Sequence, residues 1–207
     1  MLNTEIIARF RLQVDDAAEL SSDEELALEQ EVYDEVCNDR PWEFLKKTKT
    51  DTTSVSVPYV ALPVDFKMMS QNSENESVVF VGVNYDEYKV VPFSSRMDYR
   101  DMDGYCYVDK STSRLYFTLQ PTTAKSIEYD YIHIPPALVL GTTPITHEPI
   151  VTTTSFGNLL ALGMAAKFNP IEQSEKQTSY RAENISDYRS KLEDLAIEDA
   201  YTKLAIS

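Results

Sequence analysis

Asn38-Asp39-Arg40-Pro41-Trp42-Glu43-Phe44 divides this chain of 207 residues into two kinds of pattern. Apolar residues before it recur at helical spacing, and most of the hundred residues after it alternate as strands do. Pro41 has no N–H to donate and its ring collides with the preceding turn, so a helix must end near Arg40. Trp42, the only tryptophan, and Phe44 then offer a large apolar anchor where helix gives way to sheet. Pro41, Trp42 and Phe44 therefore read as a structural seam.

Upstream of the seam, Asn3 is placed to cap a first helix whose apolar stripe is Ile6, Ile7, Phe10 and Val14, ending near Asp15-Asp16. Ser22-Asp23-Glu24-Glu25 fits a capping box with Ser22 as the cap and Glu25 reaching back. Leu28, Val32 and Val36, widened by Leu26 and Tyr33, predict a second helix over residues 23–38. Its acids Glu29, Glu31, Asp34 and Glu35 have few cations in reach along the sequence.

Downstream, Lys46-Lys47-Thr48-Lys49-Thr50-Asp51-Thr52-Thr53 alternates and is rich in threonine, which suits an edge strand guarded by lysines. Val78-Val79-Phe80-Val81-Gly82-Val83 is a strong strand former, and residues 85–91 continue as another strand. Tyr105-Cys106-Tyr107-Val108 and Arg114-Leu115-Tyr116-Phe117-Thr118-Leu119 flank a turn and read as a hairpin. Ile127, Tyr129 and Tyr131 alternate with Glu128 and Asp130, giving one dry and one wet face. Gly141 to Pro149 then crosses back to helix. Phe156, Leu159, Leu160 and Gly163 share a face with several alanines, so another helix can approach closely. Asn169-Pro170 stops that run. A last helix carries Tyr180, Tyr188, Leu192 and Leu195. The order predicts an α+β fold, a helical bundle from the two ends with a mostly antiparallel β module inserted. The helical body would comprise residues 1–40 and 150–207, and the β module residues 41–149.

The formal net charge is −15, and residues 1–40 alone hold twelve acids against three arginines. That balance argues against gripping nucleic acid through its phosphates, which takes a basic stripe. No run reaches the length of a membrane span, and the N-terminus lacks the basic and apolar regions of a secretory signal. Cys37 and Cys106 are too few for a disulfide framework or a zinc cluster and read as small buried thiols.

Nothing in the sequence forms a catalytic constellation. Asp98, Asp101, Asp103 and Gly104 resemble part of a calcium loop, yet with Gly104 at its sixth position Tyr99 and Lys110 fall where ligands are required. His133 and His147 lie on different elements and lack a third partner. No nucleophile elbow or phosphate-cradling glycine loop occurs. No cofactor, metal or catalytic residue is therefore expected. The abundant tyrosines suit core packing first and protein contact second.

In their order, these stretches resemble the head-to-tail adaptor proteins of tailed bacteriophages, the connector or tail tubular A-like family. The resemblance runs through the acidic second helix ending in Arg40-Pro41-Trp42-Glu43-Phe44-Leu45 and through Tyr59-Val60-Ala61-Leu62-Pro63-Val64-Asp65-Phe66. It continues through the hairpin bearing Tyr107 and Tyr116, Tyr129-Asp130-Tyr131 before Pro135-Pro136, and Phe156-Gly157-Asn158-Leu159-Leu160-Ala161-Leu162-Gly163-Met164. It covers nearly the whole chain from Asp23 to Leu195. It implies a structural, non-enzymatic protein of the virion neck, assembled in the host cytoplasm. Copies would form a ring, a dodecamer in the typical case, joining the portal protein to a downstream tail or nozzle protein and extending the DNA channel. DNA would pass without specific binding, and no membrane is involved. Glu29, Glu31, Asp34 and Glu35 would face the channel. The C-terminal segment, with Ala200, Tyr201, Leu204 and Ile206, would dock on the portal. The long crossing from Val139 to Val151 and the lack of an anchor motif in the tail depart from the pattern. Another tail-assembly protein, a completion or terminator subunit, is the alternative.

Overall fold

The computed structural model describes residues 3–14, 20–72, 74–138, 154–168 and 175–206, with side chains of the last helix described over 180–202. The chain forms two compact units, one of Met1–Leu45 and Pro135–Ser207, the other of Lys46–Ile134. Terminal helices and a mostly antiparallel sheet make this the α+β fold that the sequence predicts. The expected helix ends at Asp15-Asp16 and Asn169-Pro170, the crossing over 141–149 and His147 lie outside the described residues.

Among the described residues the first unit contains the α-helices α1 (Asn3–Gln13), α2 (Ser22–Asp39), α3 (Thr154–Lys167) and α4 (Glu175–Ile206). Asn3 is the first helical residue of α1 and is buried, while Val14 lies just past its end. Ile6, Ile7 and Phe10 are buried as their spacing requires, and Phe10 meets Phe168 edge-on at 5.7 Å. Gly163 lets α3 come close to α2 and α4. A Cβ there would collide with Val32 Cγ1 of α2 and lie 2.9 Å from Tyr188 Cε2 of α4. The small residues of α3 thus serve the close approach their density suggests.

The capping box of α2 sits one residue earlier than the sequence suggests. Ser21, not Ser22, is the cap: its hydroxyl accepts from Glu24 N, and the Glu24 carboxylate accepts from Ser21 N at 2.8 Å. Glu25 is released for another partner. It turns inward, fully buried, and takes a two-pronged ion pair from Arg11 of α1, at 2.6 Å from Nε and 2.5 Å from Nη2. Burial of a carboxylate is tolerable when a guanidinium matches both of its oxygens.

The second unit is one eight-stranded sheet. Its strands are β1 (Lys46–Thr52), β2 (Tyr59–Ala61), β3 (Phe66–Met69), β4 (Val78–Val81), β5 (Asp86–Val91), β6 (Tyr105–Asp109), β7 (Arg114–Phe117) and β8 (Ser126–His133). They run in the order β1-β8-β4-β5-β6-β7-β2, with β3 also pairing β8. Among the described residues only β5 and β6 pair in parallel, joined by the charged loop after Pro92. The lysine-bearing β1 is indeed an edge, and Lys46 and Lys47 reach Asp130 at 3.2 Å and Asp65 at 2.8 Å. Strand β4 stops at Val81 because Gly82 takes a φ of +75°, so Val83 stands exposed at the turn instead of continuing the strand. Alternate residues of one sheet face, among them Val60, Val79, Val81, Cys106, Leu115, Phe117, Ile127, Tyr129 and Tyr131, form the core of this unit.

Candidate functional site

The second helix separates the four acids that the sequence grouped together. At 100° per residue, Glu25, Glu29, Val32 and Val36 fall within about 60° on one side of α2, Glu31 and Asp34 lie away from them, and Glu35 lies on the flank between. Glu31, Asp34 and Glu35 are exposed accordingly. Glu29 is fully buried, and neither of its carboxyl oxygens has a hydrogen-bond partner among the described residues. Burial pushes its pKa up to about 8, so it stays protonated at neutral pH. Glu29 therefore departs from the expected outward set. The inward stripe runs through it, not through Leu28, which is only half-buried.

The outward acids are organised around one cation. Lys167 Nζ, at the end of α3, lies 2.7 Å from Glu31 and 2.6 Å from Glu35. Partial burial disfavours that ammonium, but its hydrogen bonds to the two carboxylates outweigh the cost and raise its pKa. Asp34 accepts from Gln30 Nε2 at 2.8 Å, and Gln30 in turn holds the backbone N–H of Leu138 at 2.7 Å. Glu31 and Glu35 stay 64% and 48% exposed in their side chains. This edge of α2 is thus fixed in place and open to solvent.

The residues of the seam lock the end of α2 within the helical unit. Trp42 is fully buried and donates from Nε1 to the Val36 carbonyl at 2.6 Å, satisfying an acceptor in the last turn. Its ring stacks on Phe44 at 5.7 Å, and Arg40 covers it at 4.8 Å. Phe44 meets Phe156 of α3 edge-on at 5.7 Å. Buried Asp199 of α4 accepts from Glu43 N at 2.8 Å. One short turn therefore fastens α2 to both C-terminal helices. Farther along α4, Ala200 and Tyr201 are exposed, Tyr201 at 68%. Leu204 and Ile206 lie in the helical backbone, their side chains outside the described set.

Sequence reasoning did not find the main surface of the sheet unit. Opposite the core face, cross-strand register aligns Tyr59 of β2 with Tyr116 of β7, and Tyr116 with Tyr107 of β6. Their ring centres are 5.4 Å and 5.2 Å apart, the second pair almost parallel at 7°. Phe93, just after β5, extends the row against Tyr107 at 5.9 Å. An arginine closes each end: Arg114 lies 3.9 Å from the Tyr59 ring centre and Arg96 lies 4.0 Å from that of Phe93. A hydrogen bond from Arg114 also holds the Tyr116 hydroxyl below its ordinary pKa. The signal was present as Tyr-x-Tyr alternation, but alternation does not say which face is wet when both are apolar.

The remaining candidates are structural in what they touch. Asp103 accepts from the Tyr88 hydroxyl at 2.5 Å and from Gly104 N at 3.0 Å. Among the described residues no group of three or more His, Cys, Asp or Glu is placed to hold a metal ion. His133 is buried at the end of β8, and burial lowers its pKa. Cys37 and Cys106 are both buried free thiols. No described helix is long and apolar enough to cross a membrane.

The helical unit thus presents an exposed acidic edge on α2, and the sheet unit an aromatic row flanked by two arginines. The chain matches the SU10 adaptor protein family over residues 3–205, and it belongs to that family. Its general role is that of a phage head-to-tail adaptor, a structural component that meets portal and tail proteins. No curated protein matches the chain.

Proposed function

We propose that this adaptor works in the virion neck as a closed ring, a dodecamer, that joins the portal to the tail and continues the DNA channel. The match to the adaptor family along nearly the whole chain carries this reading. The exposed edge of α2 supports a role for Glu31, Asp34 and Glu35 at the channel wall. DNA carries one charge per roughly 1.7 Å of axis, so an acidic wall keeps it from sticking as it passes. The exposed end of α4, with Ala200 and Tyr201 and the further residues Leu204 and Ile206, is the segment assigned to the portal. Pro41, Trp42 and Phe44 stand where the helical body meets the inserted β module.

The test is to mix the full chain with portal protein and to count copies by native mass spectrometry and negative-stain imaging. A portal-bound ring is expected. A chain that stays monomeric with portal present overturns the reading. The channel assignment is tested separately with Glu31→Lys, Asp34→Lys and Glu35→Lys combined, which should slow DNA ejection from particles that assemble normally. Unchanged ejection kinetics would remove those residues from the wall.

A further inference from the structure

The arginine-closed aromatic row has no role in the core of its own unit. Leu115 and Phe117 of β7 point into that core, and Arg114 and Tyr116 therefore point away from it. Tyr59, Tyr107 and Tyr116 are half-buried, and Phe93 is 44% exposed. Tyrosine and arginine together are the side chains that most often dominate protein interfaces. The row crosses the sheet from β2 to the end of β5. Three strand spacings of about 4.8 Å separate β2 from β5, so the row spans about 14 Å across the sheet.

A surface of opposite charge lies on the helical unit of the same chain. Along α4, the exposed acids Glu183, Asp187, Asp194 and Glu198 fall within about 60° of the helix circumference. They extend over about 22 Å at the helical rise per residue. Beside this row is a cavity of about 80 Å³ floored by Phe156, Leu159 and Leu195 and rimmed by Lys191, Asp194 and Glu198. Apolar walls under two carboxylates suit an arginine, whose stem is apolar and whose head is a planar cation. The one cation on the rim, Lys191, reaches Asp194 only at 3.4 Å and is itself more than half exposed.

We infer that the aromatic row of one copy packs on the α4 acid row of a second copy, with Arg96 and Arg114 meeting its carboxylates. The inference rests on the ring reading and specifies its subunit contact. The two surfaces differ, so the contact is head-to-tail, the type that generates a ring when the rotation closes.

Two charge-reversed variants test it in the presence of portal protein, read by native mass spectrometry. One carries Arg96→Glu and Arg114→Glu, the other Asp194→Lys and Glu198→Lys. Each alone should lose ring yield by about tenfold or more, because like charges then face each other at every contact. An equal mixture should recover rings of alternating copies. In that mixture every contact pairs glutamate with lysine or arginine with carboxylate. A misfolded variant would not be rescued by mixing, so recovery establishes the contact, and failure to recover between two variants that melt like the parent overturns it. Normal rings from either variant alone also overturn the contact and leave the ring reading standing. Absence of rings from the unaltered chain overturns both.

Discussion

The two units of this chain solve opposite problems. The helical unit holds 22 acids against nine lysines and arginines, so it carries −13 of the total −15. The sheet unit, with ten cations and twelve acids, is nearly neutral. The helical unit also takes acids inside: Glu25, Glu29 and Asp199 are all buried there. The sheet unit does the reverse, placing tyrosines outside a core that is nearly all apolar. The lesson is that hydrophobicity alone assigns neither the interior of the first unit nor the exterior of the second. Specific partners decide two of these cases, an arginine for Glu25 and stacked rings for Tyr116, while Glu29 is buried in its neutral form.

The largest effect is expected where the helical unit is fastened. Trp42→Ala should destabilise the protein by about 3–5 kcal/mol, the usual cost of removing a large buried aromatic side chain. Loss of the bond to the Val36 carbonyl adds to the cavity left between Phe44 and the end of α2. Urea denaturation measures this. A near-neutral result would show that the turn after α2 does not hold the helices together.

A second effect, on the order of a few kcal/mol, comes from the buried Glu29. Glu29 has its pKa raised from an ordinary 4.5 to about 8 by burial alone. Below about pH 4.5 it is protonated in both folded and unfolded chains, and it contributes no pH dependence. As pH rises to about 8 the unfolded chain releases this proton while the folded one keeps it, so stability falls through that window and then levels. Glu29→Gln keeps the shape without the titration. The difference in stability between variant and parent should therefore grow from pH 5 to pH 8 in the variant's favour. A difference that stays flat with pH would mean Glu29 is ionised and paired in the fold.

Much of this fold is legible in the sequence, and the failures have physical causes. The stop at Pro41 and the alternation of Ile127, Tyr129 and Tyr131 rest on local stereochemistry, and both appear in the structure. The capping box slipped by one residue because Ser21-Ser22 and Glu24-Glu25 offer two equivalent registers. Arg11, ten residues upstream of Ser21 and on another helix, decides between them by claiming Glu25. Glu29 reads as an outward acid in the sequence because a polar residue on the inward stripe breaks the very pattern that marks that stripe. The parallel pairing of β5 with β6 leaves no local signature either, since it depends on where a loop of charged residues returns. Of the candidate surfaces, the α2 edge was readable as acidity, whereas the aromatic row required the register of three strands.

The smallest effect is the most informative about the sheet unit. Leu115 and Tyr116 are adjacent on β7, one in the core and one in the outer row. Tyr116→Ala removes two cross-strand ring contacts on the outward face, which are worth about 0.2–1 kcal/mol each. Leu115→Ala opens a cavity in the core and should cost about 2–5 kcal/mol. If the outer row exists for contact with other copies, Tyr116→Ala should melt close to the parent yet form fewer portal-bound rings. A loss of stability equal to that of Leu115→Ala would instead make the row a second core, and the contrast between an inward-looking helical unit and an outward-looking sheet would fail.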